Sequence, residues 1–127
     1  MTSFQKVVLY TAADGRAQWR ADVVDLNQGT AQAALSELVA SGGYQLRSSP
    51  VGFQSQFHCT STAQWVFILS GVMEIGLQDG SFRRFAAGAH FYSADLLPQG
   101  AQFDATVHGH WSRQAGPDPL QTLFVRD

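Results

Sequence analysis

A single cysteine, Cys59, is all the thiol this chain has, so no intrachain disulfide staples the fold and a reducing compartment is adequate. Long apolar runs are missing as well. The longest aliphatic and aromatic stretch, Trp65 to Leu69, is five residues, far short of the roughly 20 that a spanning helix needs. Positive charge is scarce: eight Lys and Arg stand against ten Asp and Glu, for a formal net charge of -2. That balance lacks the basic footprint that nucleic acid or anionic lipid requires, and neither partner is expected. The opening residues Met1 to Tyr10 carry no secretory pattern, and a cytoplasmic location is the expectation. Gly15, Gly80 and Gly88 do not lie between a strand and a helix, so no phosphate-binding loop is predicted.

What remains is globular. The chain has 127 residues, of which 45% are hydrophobic and 14% charged, enough for one domain around one core. Residues 1–50 read as N-terminal strands and 51–127 as the part that carries the motifs. Gln5 to Tyr10 and Ala17 to Leu26 are rich in β-branched and aromatic residues and flank Ala13-Asp14-Gly15, which predicts a hairpin. Thr30 to Val39 supports two readings. Ala31, Ala34, Leu35, Leu38 and Val39 follow a helical spacing with Thr30 as cap, yet the same residues alternate as a strand among β neighbours. Tyr44 to Arg47 predicts a short strand, and Val51 to Thr60 a longer one. In the latter, Gln54, Gln56, His58 and Thr60 share one face, while Val51, Phe53, Ser55, Phe57 and Cys59 share the other. Both water and a polar barrel interior explain such a face.

Trp65 to Leu69 is apolar on both sides, as expected of a central or interfacial strand. Further strands are predicted at Val72 to Leu77 and Phe82 to Phe85 across an Asp79-Gly80 hairpin, then at His90 to Ser93, Val107 to Gln114 and Leu120 to Arg126. Asp95 to Thr106 reads as a loop. About nine short strands with hardly any helix argue for an all-β sandwich or barrel.

The stretch around His58 resembles the first motif of the cupins, which are double-sheet jelly-roll barrels. That motif sets a glycine ahead of a His-x-His pair, then a glutamate, then a second glycine. Gly52, His58, Thr60, Gln64 and Gly71 stand at those spacings, with three residues between Thr60 and Gln64 and six between Gln64 and Gly71. Thr60 replaces the second histidine and Gln64 the glutamate. In the second motif His110 matches the third histidine and Gln114 the asparagine, with Asp95 to Val107 as an insertion. The resemblance implies a cupin jelly-roll barrel, a pairing of two copies as a homodimer, and a metal position at the ligand residues.

In the family that position holds iron, manganese, nickel or zinc on three histidines and a glutamate. Here the resemblance offers His58, His110 and Gln64, with His108 as a further histidine two residues from His110, and Asp95 or Asp104 as substitute carboxylates. A divalent ion of this kind prefers an anionic ligand, and the matched positions hold none. The favoured expectation is therefore a barrel that binds a small organic molecule. His58 and His110 act on it as hydrogen-bonding or acid-base groups in an isomerase, lyase or cyclase type of reaction, with Gln54, Gln56, Thr60, Gln64 and His108 around them. A metal-dependent enzyme such as a dioxygenase, using His58, His110, Gln64 and His108, is the alternative. A sensory or structural barrel without chemistry is another. His90 lies outside the matched positions and reads as a surface or loop histidine, Cys59 as a small core residue facing away from His58, and Arg113 as a surface or interface residue.

Overall fold

A computed structural model describes residues 2–127, and every regular element in it is a β-strand. The strands are β1 (Ser3–Thr11), β2 (Ala17–Asp25), β3 (Gln28–Thr30), β4 (Ala33–Leu35), β5 (Gly43–Ser49), β6 (Gln64–Ser70), β7 (Val72–Gly76), β8 (Phe82–Ala86), β9 (His90–Ala94), β10 (Trp111–Ala115) and β11 (Leu120–Arg126). Among the described residues no helix is long and apolar enough to cross a membrane. Six strands form one sheet in the order β2-β1-β9-β6-β11-β5, three form a second in the order β10-β7-β8, and β3 pairs only with β4. All pairings are antiparallel except that of β1 with β9.

The opening hairpin forms where Asp14-Gly15 predicts it, and β8 returns beside β7 after Asp79-Gly80. The two-sided apolar run Trp65 to Leu69 lies in β6, between β9 and β11. There its alternate residues serve two environments: Val66 and Ile68 enter the core, while Trp65 stacks on Phe67 on the other face. Val66, Ile68, Phe91 and Leu120 of the large sheet meet Met73, Ile75 and Phe85 of the small one in a single core cluster. Burying a side chain of this size contributes about 1.5–3 kcal/mol.

Three sequence expectations need correction, one of them the strand read from Val107 to Gln114, which begins only at Trp111 because the chain turns at 105–107 and bends at Gly109. The helical reading of Thr30 to Val39 does not hold: the segment is the short β3–β4 hairpin followed by an extended arm, with Leu38 and Val39 exposed. Alanine propensity yields here to tertiary context, since the surrounding chain is β throughout. Nor is Val51 to Thr60 a strand. It turns at Val51-Gly52 and then runs along the free edge of β10, touching it through isolated bridges at Gln54–Arg113 and His58–His110. Additional backbone bonds run from Gln114 N to Phe53 O and from Ser55 N to Ser112 O. The matched motif residues hold this crossing in place. Gly52 N donates to Gln114 Oε1, and Gln114 Nε2 donates to the carbonyls of Ala115, Gly116 and Asp118, so the buried amide satisfies both chain segments at once. Gly71 has φ +79°, and a Cβ there would lie 2.5 Å from Pro119 O, so the turn from β6 into β7 excludes any side chain.

Candidate functional site

A cavity of about 200 Å³ opens between the two sheets, against the 51–60 crossing. Its floor is apolar, made by Val66 and Phe91 from the large sheet and Met73 and Ile75 from the small one. Its polar wall is made by His58, Thr60, Gln64, Ser93, His110 and Ser112. Thr60 Oγ1 and Ser93 Oγ share a hydrogen bond, and Ser112 Oγ donates to Ser55 Oγ.

The two histidines come together because of Gly109. At φ +87° this residue bends the chain, and a Cβ on it would lie 2.6 Å from His58 O. Without a side chain there, His58 N donates to His110 O at 2.9 Å and His110 N donates to His58 O at 3.0 Å. The imidazole centroids are then 4.7 Å apart at 55°. Each ring is fixed from behind. His58 Nδ1 lies 2.8 Å from the carbonyl oxygen of Gln56, which can only accept, so Nδ1 carries the proton. His110 Nδ1 donates to Asp95 Oδ2 at 2.8 Å, and Asp95 Oδ1 accepts from Thr11 Oγ1 at 2.8 Å. Asp95 is completely buried. Among the described residues no buried side-chain nitrogen or oxygen lacks a partner, and His110 Nε2 has no protein partner, so that nitrogen opens on the cavity. His58, which is exposed at its outer side, also lines the cavity, and its Nε2 likewise has no protein partner. Enclosure by the wall lowers the pKa of His58, as do nearby His110 and Arg47, against the hydrogen bond to Gln56 O, which raises it. His58 stays neutral at pH 7.

The sheet order and this placement of the histidines can be set beside known proteins. The cupin domain of Cnp3 from Schizosaccharomyces pombe matches with a TM-score of 0.50 over 98% of this chain and 84% of its own, at 15% sequence identity. The chain has the cupin fold. A putative ethanolamine utilization protein Q from Salmonella typhimurium LT2 is also similar in structure, at 14% identity over 99% of this chain and 97% of its own, with a TM-score of 0.42. No protein-family model and no curated protein sequence matches the chain. At such identities the likeness concerns the barrel, and its chemistry has to be read from the side chains.

Of the residues singled out in the sequence, the cupin barrel brings His58, His110, Thr60 and Gln64 to one cavity. It does not bring Gln54, Gln56 or His108 there. Gln54 and Gln56 are exposed away from the cavity, because the crossing is irregular and period-two alternation does not apply to it. Only the backbone carbonyl of Gln56 takes part, through His58. His108 is turned out by the bend at Gly109. Its Nδ1 accepts from Asp104 N at 2.9 Å, and its ring packs beside Phe103, so it holds the 95–107 insertion. Cys59, read as a core residue facing away from His58, joins the cavity wall. Burial and then Asp95 push its thiol pKa up, which leaves it protonated and a poor nucleophile. His90 is part of β9, outside the cavity; its Nε2 accepts from Val7 N, and Phe4 and Trp65 pack on its ring. Arg113 is half-exposed and pairs with Glu74.

The donors do not fit a tightly held divalent metal. Asp95 spends both carboxylate oxygens on Thr11 and His110, and Asp104 accepts from Thr106. Among the described residues no three His, Cys, Asp or Glu side chains gather closely enough to ligate an ion. Two imidazoles and the neutral amide of Gln64 fall short of the three or four donors, one of them anionic, that such ions take. The sequence reading missed the part that Asp95 plays behind His110. Continuing the alternation Phe91, Ser93, Asp95 one residue beyond β9 places it on the inner face.

Proposed function

We propose that this cupin barrel binds a small organic molecule in its cavity and moves a proton on it with His58 and His110, without a tightly held metal. The observation that carries the reading is the pair of facing imidazoles, each with Nδ1 committed behind it and Nε2 without a protein partner. A carboxylate behind a histidine fixes its tautomer and stabilises the imidazolium formed when Nε2 takes a proton. His110 is the group so equipped. A proton taken from a C–H or O–H of the ligand goes to His110 Nε2 and returns to the ligand at the same or another atom, from His110 or by way of His58. The overall change is an isomerisation, an elimination or a ring closure. The apolar floor packs the ligand's carbon skeleton, and the Thr60–Ser93 hydroxyl pair offers hydrogen bonds to the ligand's oxygens.

The test is a thermal-shift screen of small metabolites in ²H₂O, followed by mass spectrometry for deuterium washed into each ligand that stabilises the protein. Ligands that stabilise the wild type should exchange a hydrogen, and His110→Ala should abolish the exchange. Unchanged ligand affinity and exchange in both His58→Ala and His110→Ala would remove the site proposed here.

For a protein partner, a second copy of this chain is the reading that the outer face of the large sheet supports best. The strand register sets Tyr44, Val125, Trp65 and Tyr92 in one cross-strand row and Leu46, Leu123 and Phe67 in the next. Tyr44 and Leu46 are about 70% exposed, and Leu38 and Val39 on the neighbouring arm are more exposed still. Apolar patches of this kind mark interfaces. A homodimer would show a solution mass of twice 13.8 kDa, and a monomeric mass would contradict it.

A further inference from the structure

We infer that the molecule held in this cavity is a small carboxylate, anchored by Arg47 at the cavity mouth with its reacting end toward the two histidines. The inference rests on the small-molecule reading above and narrows it to a substrate class. In the edge strand β5, Arg47 pairs with Thr122, which pairs in turn with Ile68. Thr122 and Ile68 are buried under the inner face of the sheet, and residues directly opposed across antiparallel strands share a face. The guanidinium therefore leans inward, its carbon 4.8 Å from the ring centre of Phe53 and 6.0 Å from that of Phe124. It lines the same cavity as His58 and His110 and is close enough to His58 to act on its titration.

This cation has no anion of its own. Among the described residues, the guanidinium of Arg47 makes no ion pair and no hydrogen bond, while Arg20, Arg84 and Arg113 each reach a carboxylate. Among the described residues no acidic side chain lines the cavity. The one buried carboxylate nearby, Asp95, lies behind His110 with both oxygens occupied. An exposed guanidinium at the mouth of an otherwise neutral cavity favours an anion, and its planar fork matches a carboxylate with two parallel hydrogen bonds. Size argues for a short molecule. The cavity of about 200 Å³ is below the roughly 300–1,000 Å³ of sites that take drug-sized ligands. With its carboxylate at Arg47, such an acid lays its chain across the apolar floor, and its functional carbon faces the Nε2 atoms.

The experiment is a titration of ¹⁵N-histidine-labelled protein with pyruvate, lactate, propionate and succinate, each paired with its uncharged amide, in wild type and Arg47→Met. Methionine preserves packing on Phe53 and Phe124 while removing the charge. At least one acid should shift the His58 and His110 ring signals and bind about tenfold or more tightly than its amide. Arg47→Met should erase that preference by weakening the acid and leaving the amide unchanged. Amides that shift both histidines as strongly as the acids, or acid binding unaffected by Arg47→Met, would overturn the carboxylate assignment and leave the cavity reading standing. No histidine shift with any acid or amide would overturn both.

Discussion

Two carboxylates are buried in this barrel, Glu74 in the small sheet and Asp95 beyond the end of β9, and they do opposite things with their charge. Glu74 is 1% exposed on β7, where Arg84 and Arg113 reach in from the flanking strands and take one oxygen each. Its charge is closed off. Burial pushes its pKa up, and the two guanidiniums more than offset this, holding the carboxyl below its ordinary value. Asp95 instead meets a hydroxyl and an imidazole whose second nitrogen opens on the cavity. Its charge is passed on. The contrast separates a buried acid that holds two strands to a third from one that equips a site: what matters is whether the chain of hydrogen bonds ends in protein or in open space.

The largest expected effect lies on the Asp95 side. Asp95→Asn should lower deuterium exchange into a bound ligand by about 10²–10⁴-fold and shift ligand affinity far less, as mass spectrometry and a parallel binding titration would show. Loss of binding with unchanged exchange per bound ligand would reverse the assignment. Next comes the hinge between the histidines. Gly109→Ala places a methyl group against the His58 backbone in a left-handed conformation and should cost about 1–3 kcal/mol in urea unfolding, with loss of the His58–His110 contact.

A smaller effect is expected on the Glu74 side. Glu74→Gln should destabilise by about 1–3 kcal/mol. This is less than a deep ion pair would lose, because Arg84 and Arg113 are half-exposed and screened by water. Ligand affinity should not move, and a change there would erase the contrast between the two acids. The pH profiles should be the subtlest readout. With its folded pKa below the ordinary 4.5, Glu74 contributes stability above pH 4.5 that is lost as the pH falls through the folded value, and Glu74→Gln should flatten that loss. His58, held below its ordinary 6.5, adds no pH dependence above 6.5. Below it the unfolded chain takes up the proton first, so stability declines. The His58 ring signals should titrate with a midpoint under 6.5, and a midpoint above 6.5 would contradict the assigned environment.

The barrel was legible because strand periodicity and turn chemistry act locally. Asp14-Gly15 and Asp79-Gly80 place their hairpins, and Trp65 to Leu69 shows a central strand through its two apolar faces. Gly52, Gly71 and Gln114 keep their spacing because each answers a backbone requirement of the crossing and the turns. Of the cavity wall, His58, Thr60, Gln64 and His110 were legible. Alternation misplaced Gln54, Gln56 and Cys59, since a bridge-held crossing has no period of two, and it misplaced His108, since one positive φ at Gly109 cancels the rule that residues two apart share a face. Asp95 and Arg47 come from elements distant in sequence. Only the pairing of β5 with β11, and the approach of the chain beyond β9 to His110, bring them to the cavity.

The central claim is that His58 and His110 commit Nδ1 to protein partners and leave Nε2 without one, at a cavity that holds no tightly bound metal. It is tested most directly by long-range ¹H–¹⁵N spectra of the histidine rings in protein purified without an affinity tag, before and after dialysis against a chelator. The account predicts a proton on Nδ1 of both rings, a neutral His58 at pH 7, and signals that the chelator does not change. An Nε2–H tautomer at either ring, or a shift of both Nε2 signals on chelation with near-stoichiometric iron, manganese, nickel or zinc released, would contradict it.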